Sequence, residues 1–237
     1  LVATDQMIDT PTNNFPTWNP LWFRTDISAP TFKEGNLEAT PADGSSSPCM
    51  STIGGLQSGK WYFEFYVKAI RSDRLFMLVG IVESALGMKA FEGDATVTSR
   101  TYQATGGKQT DGTSSSYGAT YEVGDIVGVA LNIEDGELTF YKNNATQGVA
   151  FTDIASAMPT GGWSFCTEAA TTTNTSIANF GQDSSFAGNT TAQGNQDGNS
   201  KGDFYYEPPT DYLALCSDNL PSPEIALFWL DLYDLKW

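Results

Sequence analysis

Val127-Gly-Val-Ala-Leu-Asn-Ile-Glu-Asp-Gly-Glu-Leu-Thr-Phe-Tyr-Lys-Asn-Asn144 reads as two strands joined by Asp135-Gly136 and followed by a second reversal. An Asp-Gly pair between β-branched and aromatic runs predicts a tight hairpin, because both residues accept positive φ. Lys142-Asn143-Asn144 turns the chain again before Gln147-Gly-Val-Ala-Phe151, since asparagine tolerates the left-handed region better than most residues. Within Glu137-Leu-Thr-Phe-Tyr141, alternation places Leu138 and Phe140 on one face and Thr139 and Tyr141 on the other. That is the pattern of a half-buried strand in a sandwich, so a three-strand meander with one face in a core is expected.

Working outward, residues 60–67, 75–83, 125–132, 137–142 and 176–180 carry the same short β-branched and aromatic texture between glycines. No window of comparable length spaces its apolar residues at three and four, so long helices are not expected and the fold class is all-β. The stretch Thr10-Pro-Thr-Asn-Asn-Phe-Pro-Thr-Trp-Asn-Pro20 interrupts helices and favours turns, which predicts an arm lying on the domain. Residues 104–118 (Gly, Ser, Thr) and 187–203 (Gly, Asn, Gln, Asp) are polar and irregular, and both are expected to be surface loops. The organisation expected is therefore an N-terminal arm over 1–30, a sandwich over 31–186, a polar loop over 187–209 and a C-terminal extension over 210–237. The apolar tail 226–237 must pack against something, and Phe228, Trp229, Tyr233 and Trp237 are its expected assembly contacts. A chain that opens on Leu1 and closes on an apolar stretch is expected to be part of something longer.

Lys+Arg 12 against Asp+Glu 28 gives a net charge of −16, a sign that repels phosphate backbones and anionic lipids, so nucleic acid and membrane insertion are excluded as partners. There is no histidine, which removes Ser-His-Asp and Cys-His mechanisms and the commonest transition-metal ligand. Cys49, Cys166 and Cys216 are far apart and odd in number, so buried free thiols are expected rather than a metal knuckle or a disulfide framework.

Beyond these local readings, a series stands in order over residues 58–181: Ser58-Gly-Lys-Trp-Tyr-Phe-Glu-Phe65, Val79-Gly-Ile81, Val123-Gly-Asp-Ile-Val-Gly-Val-Ala-Leu131, Asp135-Gly-Glu-Leu-Thr-Phe-Tyr-Lys-Asn143, Gly148-Val-Ala-Phe151 and Ala178-Asn-Phe-Gly181. The series resembles the SPRY domain. The resemblance implies a bent sandwich of two antiparallel sheets, related in shape to lectin-like jelly rolls, with no catalytic centre and a ligand surface made by loops at one edge. Asp9-Thr-Pro-Thr-Asn-Asn-Phe15 and Pro208-Pro-Thr-Asp-Tyr-Leu-Ala-Leu-Cys-Ser-Asp-Asn-Leu-Pro221 look like segments around SPRY modules in large bacteriophage proteins, which extends the likeness to residues 5–225. The likeness implies a tail, fibre or other virion-surface component made in the bacterial cytoplasm. The chain departs from the family pattern at Asn144, where a glycine is usual, and over residues 98–121, so no family binding residue is carried over.

Lectin-like sandwiches also host glycoside hydrolases, which need two facing carboxylates roughly 5 Å apart in the retaining case. Glu64 stands alone in its strand, and Glu134, Asp135 and Glu137 crowd a hairpin turn where exposed charge is ordinary. Gly106-Gly-Lys-Gln-Thr110 lacks phosphate-loop spacing, and Asp197-Gly-Asn-Ser-Lys-Gly-Asp203 lacks the terminal glutamate of a calcium loop. Neither a cofactor nor a metal is expected. The expected ligand-binding residues are Arg100, Tyr102, Lys108, Tyr117, Tyr121 and Trp163, aromatics and cations in or near loops that can stack on sugars or anchor protein contacts. Three functions compete: recognition of a host-surface glycan or protein, a structural connector holding other virion proteins or self-associating, and polysaccharide degradation.

Overall fold

The computed structural model describes residues 13–24, 26–85 and 94–221. Fourteen strands build it: β1 (Thr31–Lys33), β2 (Glu38–Thr40), β3 (Ser47–Met50), β4 (Lys60–Ala69), β5 (Met77–Glu83), β6 (Ser99–Gln103), β7 (Gly107–Thr110), β8 (Thr113–Ser116), β9 (Ile126–Asn132), β10 (Glu137–Lys142), β11 (Ala145–Phe151), β12 (Trp163–Ala169), β13 (Thr175–Asn179) and β14 (Leu213–Ala214). There is no helix among the described residues, and hence none long and apolar enough to cross a membrane. One sheet runs β1-β2-β13-β4-β9-β10-β11 and the other β3-β12-β5-β6-β7-β8. All pairings are antiparallel except that of the short β14, which lies parallel beside the start of β4 at Trp61 and Tyr62.

The meander forms, but its first turn is longer than expected: Glu137 pairs with Asn132, so the loop is residues 133–136, and of Asp135-Gly136 only the glycine takes positive φ. Gly136 has φ 73°, and Asn143 and Asn144 have φ 48° and 67°, so asparagine does what glycine does at this hairpin. Asn143 is held by its side chain, which accepts from Ile126 N at 2.9 Å and donates to Asp125 at 2.7 Å. Leu138 and Phe140 face the core, as the alternation required.

The core lies between the sheets. Trp61, Phe63, Phe65 and Val67 of β4 and Val127, Val129 and Leu131 of β9 meet Val79 and Ile81 of β5, Tyr102 of β6 and Trp163 and Phe165 of β12. Trp18 reaches this core from the N-terminal side, edge-on to Phe63 at 6.2 Å and Phe180 at 5.2 Å. Residues 13–24 are therefore part of the packing rather than a loose strap. Each sheet also has a covered outer face. Over the β4 sheet, Tyr62 and Ala130 are roofed by Phe15, Phe204, Ala214 and Cys216; over the other, Leu78, Val82 and Cys166 pack with Trp22, Met50 and Val97. Gly128 is required under the first roof, because a Cβ there would stand 2.6 Å from the Tyr62 hydroxyl. All three cysteines are free and buried.

One of the two expected loops differs. Residues 104–118 contain β7 and β8, a hairpin turned by Asp111 (φ 46°) and Gly112 (φ 76°) that extends the second sheet by two strands. Its strand residues are hydroxyls and amides rather than apolar groups because the outermost strand is exposed on every residue, so no hydrophobic alternation advertised it. Residues 187–203 form the surface loop expected, with no strand and most residues exposed, closed by the Asn195–Phe204 bridge.

Candidate functional site

Strand connectivity gathers the loops 70–76, 117–125, 143–144 and 170–174 at one end of the sandwich. The first of these is pinned from below by Asn174, whose side chain is fully buried. Asn174 accepts from Arg71 N at 2.9 Å and donates to Leu75 O at 3.1 Å and Phe76 O at 3.0 Å. Ala170 N adds a bond to Phe76 O at 2.9 Å. The loop is thus rigid, and it is strained: Arg74 and Phe76 sit at φ 57° and 60°, costing on the order of 1 kcal/mol each for side chains of this kind.

What this frame presents is apolar, edged by two ion-paired arginines. Leu75, Phe76 and Val123 are 43%, 40% and 57% exposed. The Arg71 guanidinium lies 5.8 Å from the Phe76 ring centroid and pairs with Asp73 at 2.6 Å, while Arg74 pairs with Glu122 at 2.5 Å. Ile70, Arg71, Ser72, Arg74, Glu122 and Val123 line a recess of about 210 Å³. Exposed ion pairs of this type contribute little to stability, so the arginines are available to a partner at low cost. Arginine and large apolar side chains on a preorganised loop have the composition of a protein-binding hot spot.

A second, polar depression of about 500 Å³ lies on the β6–β7–β8 surface, lined by Gln103, Thr105, Gly107, Ser114, Ser116 and Tyr117 among others. Tyr117 is half-buried and bonded through its hydroxyl to Gly148 O. Burial pushes its phenol up to about 12, so it stays a neutral donor.

The six ligand-binding residues expected from sequence fall into two groups. Tyr102, Tyr117 and Tyr121 form one aromatic cluster, with Tyr102 edge-on to Tyr117 at 5.3 Å and to Tyr121 at 5.2 Å. Tyr102 and Tyr121 are fully buried, their hydroxyls bonded to Ala119 O and to Met77 O and Tyr102 O, which gives them a packing role. Lys108 bonds Ala150 O and lies 5.1 Å from the Phe151 ring centroid, tying the hairpin to β11. Arg100 and Trp163 converge instead on the segment after β11. Arg100 is buried in a two-pronged pair with Asp153 and a 2.6 Å bond to Asp111, and Trp163 donates to Ile154 O at 3.1 Å. Of the six, only Tyr117 and Lys108 reach the surface in part. Phe228, Trp229, Tyr233 and Trp237 lie outside the described residues. The rim residues Arg71, Arg74, Leu75, Phe76 and Val123 carry no motif that marks them as a site in the sequence. The available signal was two of the four arginines within four residues of a strongly acidic chain, Arg71-Ser-Asp-Arg74.

Two acidic residues are explained by the fold. Glu64 is fully buried beneath the roof, accepting from Tyr205 N at 2.8 Å, Tyr206 N at 2.7 Å, Asn179 at 3.1 Å and the Tyr62 hydroxyl at 3.4 Å. Burial outweighs these four donors and pushes its carboxyl up to about 7. Its acceptor capacity is spent on the protein, so it is a structural anchor. In the Asp197 turn, the carboxylate accepts from Asn199 N, Lys201 N, Ala214 N and Asn219 at 2.8–2.9 Å. A carboxylate filled by N–H donors does not fit a calcium ligand. Among the described residues there is no group of three or more His, Cys, Asp or Glu able to hold a metal.

Residues 60–161 match the family model of the SPRY domain. The chain is similar in structure to the SPRY domain of human HERC1, at 16% identity and a TM-score of 0.56, covering 68% of this chain and 96% of that one. A second human SPRY domain is similar at 15% identity and a TM-score of 0.51, covering 63% of this chain and 93% of the other. No curated protein matches the chain. SPRY domains typically serve as protein–protein interaction modules.

Proposed function

We propose that the chain is a non-catalytic recognition module of a bacteriophage structural protein, exposed on the virion and binding a host-surface protein through the rim built on loop 70–76. The observation that carries recognition is the pinned, strained loop holding Leu75 and Phe76 open to solvent beside Arg71 and Arg74. Strain and exposed apolar area both oppose folding, and a partner that covers them repays both. The phage setting rests on the flanks at residues 9–15 and 208–221, which resemble segments around such modules in phage proteins.

Those flanks meet. Ser217 N donates to Asn14 O at 2.9 Å, and Asn14 N to the Ser217 hydroxyl at 2.9 Å. The chain therefore arrives at and leaves the sandwich at one place, which suits a module that projects from its neighbours better than a connector strung between them. A glycan ligand is the second reading, favoured by the uncharged hydroxyl- and amide-lined depression at Tyr117.

The test is binding of the purified chain to candidate host cells, with and without prior protease treatment, beside a Phe76→Asn, Val123→Ser variant. Asparagine suits the positive φ at residue 76, so the fold is kept and circular dichroism should be unchanged. Saturable binding that the variant and the protease each abolish is the expected result. Binding that survives both overturns the protein reading, and absence of binding to every host overturns recognition in favour of the structural role.

A further inference from the structure

An open sheet edge is a template for pairing with another strand, and native proteins usually blunt it with a charge, a proline, a bulge or a cover. Four edges close the two sheets here. β1 follows Pro30 and ends on Lys33. β3 contains Pro48 and is extended by the Trp18–Ser51 bridge and the bond from Asn19 N to Met50 O. β11 is bulged against β10 and covered in part by Tyr117 and Lys108. β8, Thr113-Ser-Ser-Ser116, has none of these devices among the described residues: it carries no charge and no proline, its register with β7 is unbroken, and all four residues are exposed.

We propose that β8 is a self-association edge, and that two copies of this chain pair through it across a two-fold axis to make one continuous twelve-stranded sheet. The two-residue turn at Asp111-Gly112 makes Thr110–Thr113 a hydrogen-bonded pair, as the residues flanking such a turn are. Lys108–Ser115 is then the next bonded pair, so the N–H and C=O groups of Ser114 and Ser116 point away from β7. An antiparallel copy centred on Ser115 sets Ser114 opposite Ser116 of the second copy and Ser116 opposite its Ser114. That register forms four backbone hydrogen bonds and is its own mirror under the two-fold axis, as an isologous contact must be.

Charge selects the second copy as occupant. Two chains of net charge −16 repel over most of their surfaces. Residues 103–121 hold only Lys108 and Asp111 as charged groups, and these are already bonded to Ala150 O and Arg100. The edge is thus a neutral strip on an acidic protein, where close approach of like copies costs least.

Sedimentation velocity of the whole chain, from micromolar to near-millimolar concentration, tests the idea. The expected result is a reversible monomer–dimer equilibrium that tightens with added salt, because screening relieves the mutual repulsion. Ser114→Pro and Ser116→Pro each delete one outward N–H per copy, two of the four bonds, and leave the β7–β8 ladder intact. Each should weaken association at least about tenfold. Ser115→Ala, which changes no backbone group, should leave it unaltered. Amide exchange of Ser114 and Ser116 in the unmutated chain supplies a readout that needs no variant, and both amides should become protected as the dimer forms. A chain that stays monomeric throughout, a dimer indifferent to both prolines, or association that weakens with salt would each overturn the proposal.

Discussion

Replacing Glu64 by glutamine should change how stability depends on pH, and the size of the change follows from the burial of one carboxyl. Glu64 has no cation beside it; it faces two backbone N–H groups, the Asn179 amide and the Tyr62 phenol, with no access to water. Hydrogen bonding lowers its pKa and desolvation raises it, and desolvation wins, moving the carboxyl from an ordinary 4.5 to about 7. A pKa raised on folding means that the folded state holds the proton more tightly than the unfolded chain. The stabilisation is complete below pH 4.5, declines between 4.5 and 7, and is gone above 7. At 1.36 kcal/mol for each unit, its total is about 3 kcal/mol. Urea unfolding followed by tryptophan fluorescence at a series of pH values, for wild type and Glu64→Gln, isolates this contribution from the rest of the acidic surface. The wild-type advantage over the variant should fall by about 3 kcal/mol between pH 4.5 and 8, which for a chain of this size is a melting-temperature change of roughly 2–4 °C per kcal/mol. A difference that stays flat across that interval, or grows with pH, would refute the reasoning and mean that the four donors keep the carboxylate ionised at no cost.

Three further outcomes are expected. A thiol reagent should label none of Cys49, Cys166 and Cys216 in the folded chain and all three in denaturant, because all are buried and burial pushes the Cys49 thiol up to about 12. Trp18→Ala should cost about 3–5 kcal/mol in urea unfolding, since it opens a cavity against Phe63 and Phe180; a loss under 1 kcal/mol would show that the N-terminal segment is dispensable. Asn143→Ala should cost about 1–2 kcal/mol by the same assay, combining a lost pair of side-chain bonds with alanine's poorer tolerance of φ 48°, whereas Asn144→Gly, at φ 67°, should be neutral or slightly stabilising.

The meander was legible because its information is local. Gly136 and Asn143-Asn144 declare positive φ, and the period-two pattern of residues 137–141 declares which face is buried, so β9, β10 and β11 and their order follow from neighbouring residues alone. β4 and β13 are nearly as plain from their aromatic and β-branched texture. β12 was missed because both of its faces are covered, which erases the alternation, and β7 and β8 because the hairpin lies at an exposed edge, which replaces apolar residues by hydroxyls. The Asp111-Gly112 turn carried the same signal as Asp135-Gly136, without hydrophobic strands to frame it.

The site was less legible than the fold for a physical reason. Whether a tyrosine, tryptophan or arginine faces solvent depends on what the rest of the chain lays over it. Tyr102, Tyr121 and Trp163 carry the chemistry of recognition but stand inside the sandwich, and Arg100 spends its guanidinium on Asp111 and Asp153. Phe76 looked like the start of a strand, and Asn174 instead holds it outward from 98 residues away. An all-β chain, its principal turns, its acidity and the absence of imidazole chemistry are legible from residue type and near neighbours. It took contacts between distant segments to settle that residues 204–216 roof one sheet and bury Glu64, that the two flanks meet at Asn14 and Ser217, and that among the described residues the β8 edge is left unblunted. Those outcomes depend on contacts between distant segments, and no local pattern specifies which surface another part of the chain will cover.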